Sequence, residues 1–141
     1  MCIWDFNSAC DNYSHPVTEP QHFELQYNVW YYMLSKDEDF MNAVIERYRA
    51  LRQGVLSDEY LCAYMDDVTA WLSDAVERNF SVWGYALDKD MISPAERNPH
   101  THTEAVAQMK RFCTERGAWM DEHIDILRQY SHESRNKKFN H

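Results

Sequence analysis

Residues 57–83 read SDEYLCAYMDDVTAWLSDAVERNFSVW, the longest apolar-periodic run in the chain. Its apolar side chains recur every three or four residues, the spacing that lines one face of an α-helix. Ser57 is suited to cap the first N–H groups, and Asp58 and Glu59 place negative charge at the positive end of the helix dipole. Neither Gly nor Pro interrupts the run. The pattern predicts one helix over 57–83, against which the rest of the chain packs.

The same periodicity predicts three further helices, over 23–34, 37–53 and 101–130. Asp37 is placed to cap the helix over 37–53, and Gly54 is placed to end it in the left-handed conformation. The predicted fold class is therefore all-α, a bundle of about four helices with an irregular N-terminal segment. The side chains expected to be buried in the bundle are Leu61, Val68, Trp71, Leu72 and Leu127.

The composition is typical of one helical domain, because 14% of the 141 residues are aromatic and the chain has only three Gly and four Pro. We expect a single domain over 1–141, with a strand or loop remnant at 1–20, the bundle at 21–130 and a tail at 131–141. Residues 84–99 are predicted as a loop, and loops of that length are often functional. Gly117 indicates close packing or a local bend in the last helix.

The charge and the cysteines limit the classes of partner. A net charge of −9 disfavours a nucleic-acid partner, which needs a cationic face. No apolar stretch reaches 18 residues, so no membrane span is expected. The four cysteines, Cys2, Cys10, Cys62 and Cys113, show no CxxC spacing. Buried free thiols are the default expectation, and a Cys2–Cys10 bridge in an oxidising compartment stays open as an alternative.

Two groups of polar side chains could carry chemistry. His100, His102 and Glu104 contain metal-ligating types, but positions i and i+2 of a helix point apart, so exposed loop histidines are the preferred interpretation. The other group consists of Asp66, Asp67, Asp121, Glu122, His123 and Asp125. These residues lie opposite apolar stripes, where solvated side chains are usual. The sequence has no Gly-rich phosphate loop, no GxSxG and no HExxH motif.

The segment Trp4-Asp5-Phe6-Asn7 differs from the rest of the chain. It sets an aspartate between two large apolar residues, just after a short strand-like stretch. Phosphoryl-transfer enzymes place in this way the acid that holds Mg²⁺ against nucleotide phosphates. Asp5 is therefore the candidate metal ligand, with Asn7 as a second.

Taken in order, five motifs resemble the C-terminal part of the CotH-like kinases, the spore coat protein H family of atypical kinases. Residues 4–12 are similar to the family's Trp-Asp-Phe-Asp-x-Ala-Phe-Gly-Asn stretch, whose first aspartate corresponds to the kinase DFG aspartate. In this chain Asn7 replaces the second acid, Cys10 replaces Phe and Asp11 replaces Gly. The other four motifs are Trp30 to Leu34 with Asp37 and Phe40, Arg47-Tyr48 with Leu51-Arg52, Ala75-x-x-Arg78-Asn79-x-x-x-Trp83, and Arg116-x-x-Trp119-Met120-Asp121.

The resemblance implies that the chain is the helical C-terminal subdomain of an ATP-dependent protein kinase of the secreted or cell-envelope type. Mg²⁺ and ATP are expected in the parent kinase, with Asp5 and Asn7 as metal ligands, and the expected partner is the remainder of the kinase domain. The phosphate-covering loop, paired lysine and catalytic aspartate of a kinase are not found in this sequence. We therefore assign no catalytic residue, and expect the isolated chain to be inactive and without cofactor. The alternative is a free-standing helical protein-interaction module with no enzymatic activity.

Overall fold

The computed structural model describes Cys10, Asn12, Phe23 and residues 29–133. Within these residues the α-helices are α1 (Val29–Leu34), α2 (Glu38–Arg52), α3 (Asp58–Leu72), α4 (Asp74–Trp83) and α5 (His102–His123). Short 3-10 helices occupy Gly84–Leu87, Ala95–Arg97 and Ile124–Tyr130. The described residues contain no β-strand, so the all-α prediction is confirmed. None of the described helices combines the length and apolar character that a membrane span requires.

The described residues belong to two compact units. The first unit contains Cys10, Asn12 and residues 58–116, and the second unit contains Phe23, residues 29–57 and residues 117–133. Helix α5 contributes to both units, because the division falls between Arg116 and Gly117. The expectation of a single domain over 1–141 stays a prediction.

The predicted helix over 57–83 is divided at Ser73. This residue has φ 42° and ψ −127°, a backbone conformation that residues with a Cβ rarely adopt. The Ser73 N–H donates to the Thr69 carbonyl at 3.1 Å and closes α3, and α4 begins anew at Asp74. The apolar periodicity runs through the break because it reports the spacing of side chains and carries no signal for one positive φ.

The hydrophobic core of the described residues lies in the second unit. Met41 and Ile45 of α2 are fully buried, and Ile124 and Leu127 of the following 3-10 helix are 2% and 3% exposed. The partly buried side chains packed on this core are Phe23, Phe40, Tyr48 and Met120. The prediction that Leu127 is buried is confirmed.

The burial predicted for α3 is wrong. Trp71 is 82% exposed and Leu72 is also exposed, whereas Leu61 and Val68 are half-buried. No residue of α3 is buried. The 3-4 spacing identifies which face of the helix is apolar, but it does not say that this chain supplies the residues that cover it.

The helix ends follow local chemistry in two of three cases. The Asp37 carboxylate accepts from the Phe40 N–H at 2.8 Å and caps α2, as predicted. Helix α3 begins at Asp58, directly after Ser57, with Asp58 and Glu59 in its first turn. The left-handed stop at Gly54 is wrong, because α2 ends at Arg52 with Gln53 as its right-handed C-cap and no Gly has a positive φ.

Candidate functional site

The first unit contains a cavity of about 470 Å³, a volume within the range of small-molecule sites. Its apolar lining comes from the segment after α4 and from the first turns of α5: Leu87, Ile92, Pro99, Ala105, Val106 and Met109. Its polar lining consists of Cys10, Asn12, Arg97, His102 and Gln108. Cys10 and Asn12 are the last residues of the 4–12 stretch, so the cavity lies beside the end of the segment that carries Asp5.

Asn98 holds the loop that forms one wall of this cavity. Its side-chain oxygen accepts from the N–H groups of Met91 and Ile92, at 2.9 and 2.8 Å. Its side-chain nitrogen donates to the carbonyls of Ile92 and Ala95, at 2.6 and 2.8 Å. One amide thus satisfies four backbone groups that this irregular segment cannot pair by itself. Sequence reasoning missed Asn98, although an Asn before Pro99 is a known sign of side chain to backbone bonding in turns.

Arg97 is the buried charged residue of the cavity wall, at 9% exposure. Its guanidinium donates to the Ser93 carbonyl at 2.5 Å, and its own carbonyl accepts from the Gln108 side chain at 3.0 Å. The first bond holds the guanidinium against the loop, and the second joins the Arg97 backbone to α5. Sequence reasoning also missed Arg97, because a single Arg in a loop gives no pattern.

The histidines near the start of α5 have structural partners. The His100 N–H donates to the Glu104 carboxylate at 2.8 Å, and the Glu104 N–H donates to the Thr101 hydroxyl at 3.1 Å, an arrangement similar to a capping box. The His100 ring contacts the Leu87 carbonyl at 2.8 Å. His100 is exposed in the loop, as expected, but His102 is half-buried in the first turn of α5 with its ring 5.7 Å from that of Phe80.

In the first unit, a side-chain hydrogen bond between the two thiols shifts the pKa values of Cys10 and Cys113 in opposite directions. This bond lowers the pKa of Cys10 to about 7, although partial burial acts in the opposite direction. The same bond, together with burial and the nearby charges of Cys10 and Asp58, raises the pKa of Cys113. The residues of this pair are half-buried, so the expectation of buried thiols is only partly met.

The second unit contains a polar cluster centred on Asp121. The Asp121 carboxylate accepts from the Tyr48 hydroxyl at 2.8 Å and from the Arg52 Nε and Nη2 atoms at 3.0 and 2.8 Å. The hydrogen bond from Arg52 holds the pKa of Asp121 below its usual value, the Tyr48 bond adds to this, and burial opposes it. Arg52 also donates to the Leu56 carbonyl at 2.6 Å.

Gly117 lies where the Arg52 guanidinium packs closely against α5. A Cβ at this position would lie 2.8 Å from the Arg52 guanidinium, and the Gly117 carbonyl accepts from the Tyr48 hydroxyl at 3.2 Å. The close packing predicted at Gly117 is therefore confirmed.

Asp66, Asp121 and Asp125 are exposed, as expected for a solvated face, and each also forms an ion pair. Asp121 forms the cluster with Arg52, Asp125 pairs with Arg49 and Arg128, and Asp66 pairs with Lys110. The sequence placed these carboxylates on polar helix faces but gave no sign of their partners. Most of the partners are 44 to 76 residues away along the chain, whereas Arg128 is three residues from Asp125.

The metal ligands expected from the sequence, Asp5 and Asn7, lie outside the described residues. Within the described residues no three His, Cys, Asp or Glu side chains come together as a metal site.

Two of the sequence motifs come together in the second unit. Tyr48 and Arg52 belong to the third motif, Asp121 belongs to the fifth, and they meet in the polar cluster. In the same fifth motif the Trp119 ring lies 4.8 Å from that of Phe23 and 4.5 Å from that of His123. In this unit, the motif residues that carry the kinase resemblance therefore make structural contacts.

A comparison with models of protein families agrees with the resemblance that the motifs show. The model of the family described as CotH kinase protein matches residues 1–120. The searches of curated proteins and of solved structures found no match. The family match covers most of the 141 residues and includes the 4–12 stretch, the cavity and the Tyr48 and Arg52 side of the polar cluster. The chain belongs to the CotH kinase protein family.

Proposed function

We propose that this chain is the helical C-terminal subdomain of a CotH-like protein kinase and that it supports the metal-binding segment of a longer enzyme. The observation that carries the proposal is the family match over 1–120, which includes the segment with Asp5. Catalysis of phosphoryl transfer consists mainly of positioning and charge neutralisation. A subdomain that positions one metal ligand is therefore a working part of such an enzyme without being catalytically complete.

The cavity of the first unit supports this role. Its wall includes Cys10 and Asn12, which end the 4–12 stretch, and the buried cation Arg97. Asn98 ties the facing loop into one conformation through four hydrogen bonds. We infer that this wall is the support on which the Asp5 segment rests, and that positive charge at Arg97 favours the phosphates that the segment serves.

Asp5 is proposed as a ligand of Mg²⁺, with Asn7 as a weaker helper. Mg²⁺ prefers oxygen ligands in octahedral geometry and gives up its waters reluctantly. One carboxylate and one amide are too few to hold the ion, so nucleotide phosphates and groups of the parent kinase complete its coordination. The isolated chain is expected to bind nucleotide weakly or not at all.

The proposed partner is the remainder of the kinase domain, which would cover the aromatic stripe of α3. We define this stripe as Tyr60, Tyr64 and Trp71, whose spacing of four and seven residues places them on one side of the helix. Their exposed fractions are 49%, 58% and 82%, and the rings of Tyr60 and Tyr64 are stacked 6.5 Å apart. Contiguous exposed apolar surface of this kind marks interaction sites.

The test is a radiolabelled-ATP transfer assay on this chain and on the longer kinase, with and without Asp5→Ala. The matched control is Asp67→Ala, which removes an exposed carboxylate of α3. We expect transfer by the longer kinase and by its Asp67→Ala variant, and loss of transfer in Asp5→Ala with the helical melting transition nearly unchanged.

Two outcomes separate the parts of the proposal. Robust transfer by the 141-residue chain alone would contradict its role as an incomplete subdomain. Full activity of the Asp5→Ala kinase would leave the subdomain assignment in place and remove Asp5 as the metal ligand.

A further inference from the structure

We propose that the cavity of the first unit binds an uncharged, mainly apolar small molecule that donates one hydrogen bond to the His102 ring. The cavity measures about 470 Å³, which is within the range of pockets that enclose one small molecule. Its described lining residues all belong to the first unit, so the site does not depend on how the two units are arranged. The inference does not rest on the proposed kinase function, because it uses only the lining of the cavity.

One face of α5 supplies half of the apolar lining. Four lining residues are spaced by three, four and seven positions from the first, which places them on the same side of the helix: His102, Ala105, Val106 and Met109. The segment before α5 supplies the other apolar side chains, Leu87, Ile92 and Pro99. None of the six apolar residues is fully buried. An apolar ligand therefore gains affinity by removing their uncovered surface from water.

The loop side of the cavity is already ordered without a ligand. The Asn98 side chain makes four hydrogen bonds to backbone groups between residues 91 and 95. The Gln108 side chain of α5 donates to the Arg97 carbonyl at 3.0 Å and ties the loop to the helix. A ligand that enters a site held in this way loses little affinity to the ordering of its walls.

Two polar groups of the lining indicate which polar group the ligand carries. The His102 ring lies 5.7 Å from the Phe80 ring, and no described residue hydrogen-bonds its nitrogens. The Gln108 amide nitrogen is occupied by the Arg97 carbonyl, which leaves the amide oxygen as an acceptor. A neutral imidazole also has one acceptor nitrogen. Both groups therefore suit a ligand that donates through a hydroxyl or N–H group.

The charge of the lining favours an uncharged ligand. The positive charge of Arg97 acts against a ligand cation. A ligand anion would need the Arg97 guanidinium as a direct partner, but this group is 9% exposed and already donates to the Ser93 carbonyl. The Gln108 oxygen offers an anion no donor. Removing an anion from water without such partners costs far more than removing a hydroxyl or an N–H group.

The test is calorimetric titration of the full chain at neutral pH with three matched probes: indole, which has an N–H donor, N-methylindole, which lacks it, and indole acetate, which adds a negative charge. We expect one indole per chain, bound at least about fivefold more tightly than N-methylindole, because the methyl group removes one hydrogen bond. Indole acetate should bind more weakly than indole. His102→Phe keeps an aromatic ring beside Phe80 and should bring indole and N-methylindole to similar affinities.

A pair of tryptophan substitutions places the site in the cavity. Val106→Trp fills the cavity and should abolish indole binding. The matched control is Ala107→Trp, at the next and exposed position of the same helix, which should bind indole as the wild type does. Circular dichroism checks that both variants keep their helices.

A second measurement needs no folded variant. In methyl-labelled methionine NMR of the wild-type chain, indole should shift the signal of Met109, which lines the cavity, and leave that of Met41 in the core of the second unit unchanged. Absence of indole binding, or binding that leaves the Met109 signal unmoved, would overturn the proposal. Tighter binding of indole acetate than of indole would overturn the uncharged ligand. A full preference for indole over N-methylindole in His102→Phe would overturn His102 as the acceptor.

Discussion

The two units differ in what happens to their apolar side chains. In the second unit, Met41, Ile45, Ile124 and Leu127 are buried against one another. In the described part of the first unit, the buried residue is a charged one, Arg97, and no large apolar side chain reaches the same degree of burial. The second unit therefore has an apolar core of its own, whereas the described part of the first unit has no buried apolar side chain of this kind.

The polar residues do not repeat this contrast, because both units pair carboxylates with residues distant in sequence. The second unit satisfies its carboxylates through residues distant in sequence, as in the pairing of Arg52 with Asp121. In the described part of the first unit, Lys110 pairs with Asp66, 44 residues away, and Asn98 holds its own loop through bonds that reach only a few residues along the chain. The comparison therefore places the apolar core of the described residues in the second unit.

The largest expected effect comes from the core of the second unit. Ile45→Ala removes a fully buried side chain and should lower the free energy of unfolding by about 2–5 kcal/mol, through lost transfer energy and the cavity left behind. Urea denaturation followed by circular dichroism measures it. The control is Ile126→Ala in the same unit, at 44% exposure, which should cost less than about 1 kcal/mol. Equal losses in the two variants would remove the distinction between core and surface in this unit.

An intermediate effect is expected at the polar cluster. Asp121→Asn should lower the free energy of unfolding by about 1–2 kcal/mol at neutral pH, because the Arg52 bond loses its charge assistance while the half-exposed site screens the loss.

The acid dependence of the same variant follows from the lowered pKa of Asp121. A carboxyl whose pKa is lower in the folded chain contributes stability above its unfolded pKa of about 4, and this is lost as the pH falls through the folded value. The difference between the wild type and Asp121→Asn should therefore shrink in acid, whereas the control Asp67→Asn, at an exposed carboxylate of α3, should cost little stability at neutral pH. A difference that stays constant from neutral pH into strong acid would contradict the role given to this carboxylate.

The smallest effect is expected at the aromatic stripe. Trp71→Ala in the isolated chain should change the free energy of unfolding by less than about 1 kcal/mol, because the ring is 82% exposed. The sequence pattern alone would give roughly 3–5 kcal/mol for a core Trp. The matched control is Tyr64→Ala on the same stripe, which should change the free energy of unfolding equally little. A loss of roughly 3–5 kcal/mol in either variant would place the stripe inside the chain's own fold.

The fold could be predicted where the cause is local. Asp37 caps α2 because its side chain reaches a nearby N–H, and Gly117 allows close packing because it has no side chain. The break at Ser73 could not be predicted, since one positive φ leaves no trace in the apolar spacing. Trp71 was misplaced because the pattern of a helix face is the same whether its cover comes from this chain or from another.

The site was predictable only in part. The 4–12 stretch and its resemblance pointed to Asp5 and Asn7, which lie outside the described residues and stay predictions. The cavity beside the end of that stretch depends on Arg97 and Asn98, whose roles arise from the loop conformation and not from any spacing in the sequence. The meeting of Arg52 with Asp121 could not be read from the sequence either, because the two residues are 69 positions apart.

Hydrogen exchange on the isolated chain and on the longer kinase tests the central claim most directly. We propose that the remainder of the kinase domain completes the first unit, whereas the second unit has its own core. We therefore expect the amides of α3 to exchange at least about tenfold more slowly in the longer kinase, and those of α2 to exchange at similar rates in both proteins. Equal exchange of α3 in the two proteins would contradict the account.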